Sequence, residues 1–171
     1  EPENTVLEHH AVAIDDGKIV AILPSAAAVS QYRATVTHRL ATHVLIPGLI
    51  NTHTHAAMTL LRGFADDLPL EAWLQQRIWP AEHAFVSPDF VADGTKLAIA
   101  EMLRSGVTCF NDMYFFPDVA GEVIAQAGMR ATVGLIVIDF PTVWAKNADE
   151  YLQKAVEVHQ QLQQYPLIRT A

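Results

Sequence analysis

From Leu49 onward, short apolar runs alternate with stretches of helical character, and this alternation limits the fold more than any other property of the chain. Leu49-Ile50-Asn51, Val107-Thr108-Cys109-Phe110-Asn111, Ala131 to Ile138 and Pro166 to Ala171 read as strands, the third as one buried on both faces. A long connection follows the first strand and contains an expected helix from Leu70 to Ile78. Ser87-Pro88-Asp89 starts the next helix, with Ser as N-cap and Pro at the first helical position. That helix runs to Arg104-Ser105 and stops at Gly106. Pro117-Asp118 opens another, closed by Gly128. Asn147 with Glu150 resembles a capping box and starts a last helix, whose expected apolar face is Leu152, Ala155, Val156, His159 and Leu162. Strands separated by helices pair in parallel, so the expected class is α/β. Three complete strand–helix units and the start of a fourth fit the first part of a (β/α)8 barrel, which as a whole needs ~250 residues.

The first 43 residues follow a different pattern. Val12-Ala13-Ile14 and Ile19-Val20-Ala21-Ile22-Leu23 flank Asp15-Asp16-Gly17-Lys18, a strong hairpin signal. Pro24 to Gln31 reads as a loop or short helical turn, and Thr35 to Leu40 as another strand. The expected organisation is a small β-rich domain over residues 1–43, too thin to bury a core alone, followed by barrel units over 44–171.

Composition narrows the function. A chain that is 51% hydrophobic and 18% charged packs a core. A net charge of −8 without basic runs argues against nucleic acid and against an anionic membrane surface as partners. Apolar runs fall short of the ~20 residues of a membrane span. Glu1-Pro2-Glu3-Asn4 has neither the basic start nor the apolar stretch of a signal peptide. The single cysteine, Cys109, lies in an apolar run and reads as a buried strand thiol. One unpaired thiol fits a reducing compartment, hence the cytoplasm.

The chemistry begins where the first barrel strand ends, in Pro47-Gly48-Leu49-Ile50-Asn51-Thr52-His53-Thr54-His55. Residues two apart on a strand point to the same side, so His53 and His55 aim two imidazoles at one point. Two neutral imidazoles are half of a catalytic zinc site. In parallel barrels the reacting groups gather at the C-terminal ends of the strands. Asp112 and Asp139 fall at that end of the next two strands, as helix caps or as site groups. His9, His10, His38 and His43 belong to the β-rich region, and His159 to a helix face, where a structural role is expected; His83 falls in the long connection.

The same segment, with Met58-Thr59-Leu60-Leu61-Arg62-Gly63-Phe64-Ala65-Asp66-Asp67 and Trp79-Pro80-Ala81-Glu82, resembles the amidohydrolase superfamily. Within it, the branch of the 5′-methylthioadenosine/S-adenosylhomocysteine deaminases and s-triazine hydrolases is most similar. The resemblance covers almost the whole chain. It implies the N-terminal part of a metal-dependent TIM barrel preceded by a composite β-sandwich unit. It implies His53 and His55 as ligands of one zinc per subunit, or sometimes iron, and Glu82 as acceptor of the ribose hydroxyls of a small nucleoside substrate. The activity implied for the full-length parent is hydrolytic deamination of methylthioadenosine, S-adenosylhomocysteine or adenosine to the inosine analogue and ammonia. An s-triazine, guanine or cytosine amino- or chlorohydrolase of the same fold, or an inactive metal-binding fragment, are the competing readings. The resemblance places the remaining ligands and the proton-shuttling carboxylate beyond Ala171, so no catalytic residue is assignable in this segment, and the segment alone is expected to be inactive. The family often forms homodimers, which leaves a homodimer open for this chain.

Overall fold

The computed structural model describes residues 5–171, and Glu1-Pro2-Glu3-Asn4 lies outside the described residues. The chain divides into two compact units, one ending at Leu45 and the other running from Ile46 to Ala171.

In the first unit, β1 (His10–Asp15) and β2 (Lys18–Pro24) form an antiparallel hairpin. Asp16 and Gly17 close it with φ of 46° and 69°, the left-handed turn whose twist matches that of the strands. α1 (Ser25–Gln31) follows directly. Thr35 to Leu40 is not a strand. Its β-branched residues favour extended backbone, but a strand also needs a neighbour for its amides, and none pairs with it among the described residues.

The second unit is built on four parallel strands in chain order: β3 (Leu49–Thr54), β4 (Val107–Met113), β5 (Arg130–Gly134) and β6 (Ile168–Thr170). Each strand lies beside its predecessor, as along the arc of a barrel. The sheet's neighbours include α4 (Pro88–Arg104), α5 (Pro117–Gln126) and α6 (Ala148–Leu162). Phe110 and Val133 from the strands meet Ile99, Met102, Ile124 and Leu162 from the helices in one core. β4 alternates accordingly: Phe110 and Asp112 are buried, while Asn111 and Met113 are exposed on the other face. So this strand is covered on one side within the chain; β5, the strand expected to be buried on both faces, has Ala131 and Val133 buried and Thr132 and Gly134 only partly so.

Two boundaries and one helix face differ from the sequence expectation. β5 ends at Gly134 and not at Ile138, because its pairing with β4 stops at Met113 and β6 offers only three residues. On α6 the buried residues are Tyr151, Val158 and Leu162, while Leu152, Val156 and His159 are exposed. Tyr151 adds a large apolar ring one position before Leu152 and turns the helix by about one residue. The helix expected to end at Ile78 continues: α2 (Leu70–Trp73) passes through a π turn over Leu74–Ile78 into α3 (Trp79–Phe85). Pro80 has no amide hydrogen and would crowd the carbonyl four residues back. The wider turn, in which the Trp79 amide donates to the Leu74 carbonyl, lets the helix pass it.

The caps of α4 and α6 match the sequence reading. Ser87 Oγ accepts from the Phe90 amide at 3.2 Å, and Gly106 ends α4 with φ of 81°. Asn147 Oδ1 accepts from the Glu150 amide at 2.9 Å, while the Glu150 carboxylate reaches back to the Lys146 amide, one residue beyond the cap. Among the described residues, no helix is long and apolar enough to cross a membrane.

Candidate metal centre

β3 brings His53 and His55 together, with ring centroids 5.1 Å apart and the planes at 83°. The ladder between β3 and β4 loses its regular register between Asn51 and Thr54. Side chains take over there. Asn51 Oδ1 accepts from the His53 amide at 3.3 Å, and Asn111 Nδ2 donates to the Thr52 carbonyl at 3.3 Å. The Thr54 hydroxyl donates to Asp112 Oδ1 at 2.8 Å, its hydrogen shared with the Asn111 carbonyl at 3.0 Å. The same Asp112 Oδ1 accepts from the Ala56 amide at 2.7 Å.

His55 Nδ1 lies 2.6 Å from the Met113 carbonyl oxygen. A carbonyl only accepts, so Nδ1 carries the hydrogen, and in the neutral ring the lone pair is on Nε2. A metal-binding histidine is commonly held this way, its second nitrogen donating to a backbone carbonyl. The donor chemistry of the pair therefore fits zinc or iron. Among the described residues, no group of three or more His, Cys, Asp or Glu side chains gathers into a complete metal cage.

Glu82 is not in a loop. It sits on α3, only 8% exposed, and Oε1 accepts from the Tyr114 hydroxyl at 2.8 Å. Tyr114 is buried as well, and its ring lies 6.4 Å from that of His55. The chain that includes Glu82, Tyr114 and His55 is thus contiguous. Burial pushes the Glu82 carboxyl above its usual range, against the pull of the Tyr114 hydroxyl and of His55. Burial, with the Glu82 and Asp112 carboxylates, pushes the Tyr114 hydroxyl up, so it remains a donor.

Asp112, 2% exposed, does not cap the helix that follows its strand; α5 begins at Pro117 without any side-chain cap. Burial raises its carboxyl, while the Ala56 amide, the Thr54 hydroxyl, His55 and the Met113 amide pull it down. Asp139 is exposed in the turn after β5, and His83 is exposed on α3. Cys109 is half-buried in β4. Tyr114 and Thr54 were not singled out from the sequence. The available signal was period two: Asp112 and Tyr114 share one side of an extended segment, as His53 and His55 do of theirs.

The chain matches the amidohydrolase family over residues 44–169. It is 47% identical over 167 residues to the 5-methylthioadenosine/S-adenosylhomocysteine deaminase of Saccharophagus degradans, covering 98% of this chain and 37% of that protein. It is 43% identical over 139 residues to the 5′-deoxyadenosine deaminase of Methanococcoides burtonii, covering 81% of this chain and 31% of that protein. A crystal structure of an adenosine deaminase from Xanthomonas campestris with bound zinc superimposes with a TM-score of 0.95 at 56% identity, covering 98% of this chain and 38% of that one. The chain therefore spans under two fifths of the length of these relatives.

Proposed function

Because the chain belongs to the amidohydrolase family, we propose that it is part of a metal-dependent hydrolytic deaminase of adenine nucleosides. Its substrates are 5′-methylthioadenosine, S-adenosylhomocysteine or adenosine, converted to the inosine analogue with release of ammonia. The observation that carries this reading is the 47% identity to a methylthioadenosine/S-adenosylhomocysteine deaminase along 98% of the chain. Residues 1–43 form the small β-rich domain and 44–171 the first strand–helix units of the barrel. The protein works in the cytoplasm on a small nucleoside, with neither nucleic acid nor a membrane as partner, and a homodimer is open to it.

In this reading His53 and His55 are two ligands of one zinc ion, with iron as the alternative metal. His55 binds through Nε2, since Nδ1 is committed to the Met113 carbonyl. The metal, when bound, supplies the acidification of water to a pKa of about 7. Glu82 accepts the two vicinal ribose hydroxyls. A carboxylate has about four lone-pair positions, and Tyr114 takes one of them. Tyr114 thereby fixes the direction in which the other oxygen points.

Two assays on the full-length protein test the proposal. With zinc present, ammonia should be released from at least one of the three nucleosides; release from none sinks the reading. Glu82→Ala should lower kcat/KM for the nucleoside by about 10- to 100-fold, matching the ~1.5–3 kcal/mol of a hydrogen bond to a charged group. A free base lacking ribose should be nearly unaffected. Equal losses on both would favour a base or triazine hydrolase.

A further inference from the structure

The three consecutive residues Asn111, Asp112 and Met113 all grip the end of β3, at the point where its backbone ladder fails. Asn111 holds Thr52 through its side chain and Met113 holds His55 through its carbonyl. Asp112 makes the central contact, with one buried oxygen accepting both from the Thr54 hydroxyl at 2.8 Å and from the Ala56 amide at 2.7 Å. Thr54 separates the two histidines, and Ala56 follows the second. Both partners of Asp112 thus flank His55 in the chain, and neither is a histidine.

We propose that Asp112 is a positioning residue for the metal pair: it fixes the backbone on both sides of His55 and so sets the direction of both imidazoles. The proposal rests on the reading of His53 and His55 as metal ligands. The geometry argues for it in three ways. First, the register shift leaves β3 without its regular ladder bonds between Asn51 and Thr54, the stretch that holds His53. A loose strand end would let the imidazoles wander, and metal affinity depends on ligand direction. Second, Asp112 is 2% exposed, so its bonds do not compete with water. Third, a buried carboxylate is an expensive way merely to join two strands, since an apolar residue of similar size would fill the space without a desolvation cost.

The test is zinc affinity, measured by chelator competition on the full-length protein, together with the visible spectrum of the cobalt-substituted form. Asp112→Ala should weaken zinc binding by about 10- to 100-fold, in line with the loss of an outer-shell partner, and should shift the cobalt bands. Asp112→Asn should restore binding to near the wild-type value, because its Oδ1 can accept both hydrogen bonds. Thr54→Val, which keeps the shape and removes one donor, should weaken binding by several-fold. A folded Asp112→Ala protein that binds zinc within about twofold of wild type, with an unchanged cobalt spectrum, overturns the proposal. Should that variant not fold, Thr54→Val with wild-type affinity and spectrum overturns it equally. The double substitution His53→Ala, His55→Ala separates the two readings. If zinc binding survives it, the metal-pair reading itself is wrong; if zinc is lost there while Asp112→Ala binds normally, only the positioning role fails.

Discussion

Glu82 and Asp112 are carboxyls raised by burial, and both carry the same consequence for pH. A carboxyl whose folded value lies above its unfolded one favours the fold most fully below the ordinary carboxylate range. That contribution is lost as pH rises through the raised value. For Glu82 the loss begins above the ordinary value of 4.5. Glu82→Gln keeps an acceptor for Tyr114 and never ionises. It should therefore reduce the fall in stability between about pH 4.5 and neutrality, read as urea midpoints across that interval. Parallel curves for wild type and variant would show that Glu82 is not the group responsible. The histidine pair was legible in the sequence because strand periodicity alone decides where residues 53 and 55 point. The work of Asp112 was not, because it depends on which strand lies beside which. Its partner Thr54 is 58 residues away in the chain. The helix was expected to end at Ile78, short of Glu82, for a local reason: the π turn before Pro80 is a way of continuing a helix that propensity rules treat as its end.

α4 carries a glycine at its middle, where a helix ordinarily loses about 1 kcal/mol relative to alanine. Gly94 is required because the helix runs against the 3-10 turn Ala56–Leu61 that follows His55. A Cβ on Gly94 would lie 2.4 Å from the Ala57 carbonyl oxygen and 2.8 Å from its Cα. Those are backbone atoms and cannot swing aside. Gly94→Ala should therefore destabilise the protein by about 1–3 kcal/mol despite its better helix propensity. It should also weaken zinc binding, since the displaced turn begins one residue after His55. A rise in thermal midpoint would refute the close approach. Helix starts and stops were readable because Ser87, Asn147 and Gly106 act through their own neighbours in the chain. The lengths of β5 and β6 were not, because a strand lasts only as long as its partner. The Leu135 amide still donates to the Ala171 carbonyl at 2.7 Å, but Ile136 to Ile138 looked like a continuing strand and find no ladder partner among the described residues. The face of α6 differed for a similar reason: Leu152 and Val156 match the helical period, but the core beside the sheet takes Val158 and Leu162, and Tyr151 is buried with its hydroxyl on Thr142.

The four-stranded sheet leaves one side of β3 and one side of β6 without a partner among the described residues. Leu49, Ile50, Leu103 and Met113 are exposed, each by more than two fifths. Open strand edges beside apolar surface favour association. Expressed alone, the 171-residue chain should elute as oligomers on size exclusion and release no ammonia from adenosine. A monodisperse, active monomer would contradict both the strand-edge argument and the assignment of only two metal ligands to this region. The order of the strands has one more consequence. Each strand lies beside the one made just before it, so a chain leaving the ribosome meets its next partner already in place. On its partnered side β3 waits only for β4. Once Met113 has emerged, both imidazoles and the groups that grip them have been synthesised, so the proposed metal half-site can mature during translation, while the residues after it are still being made.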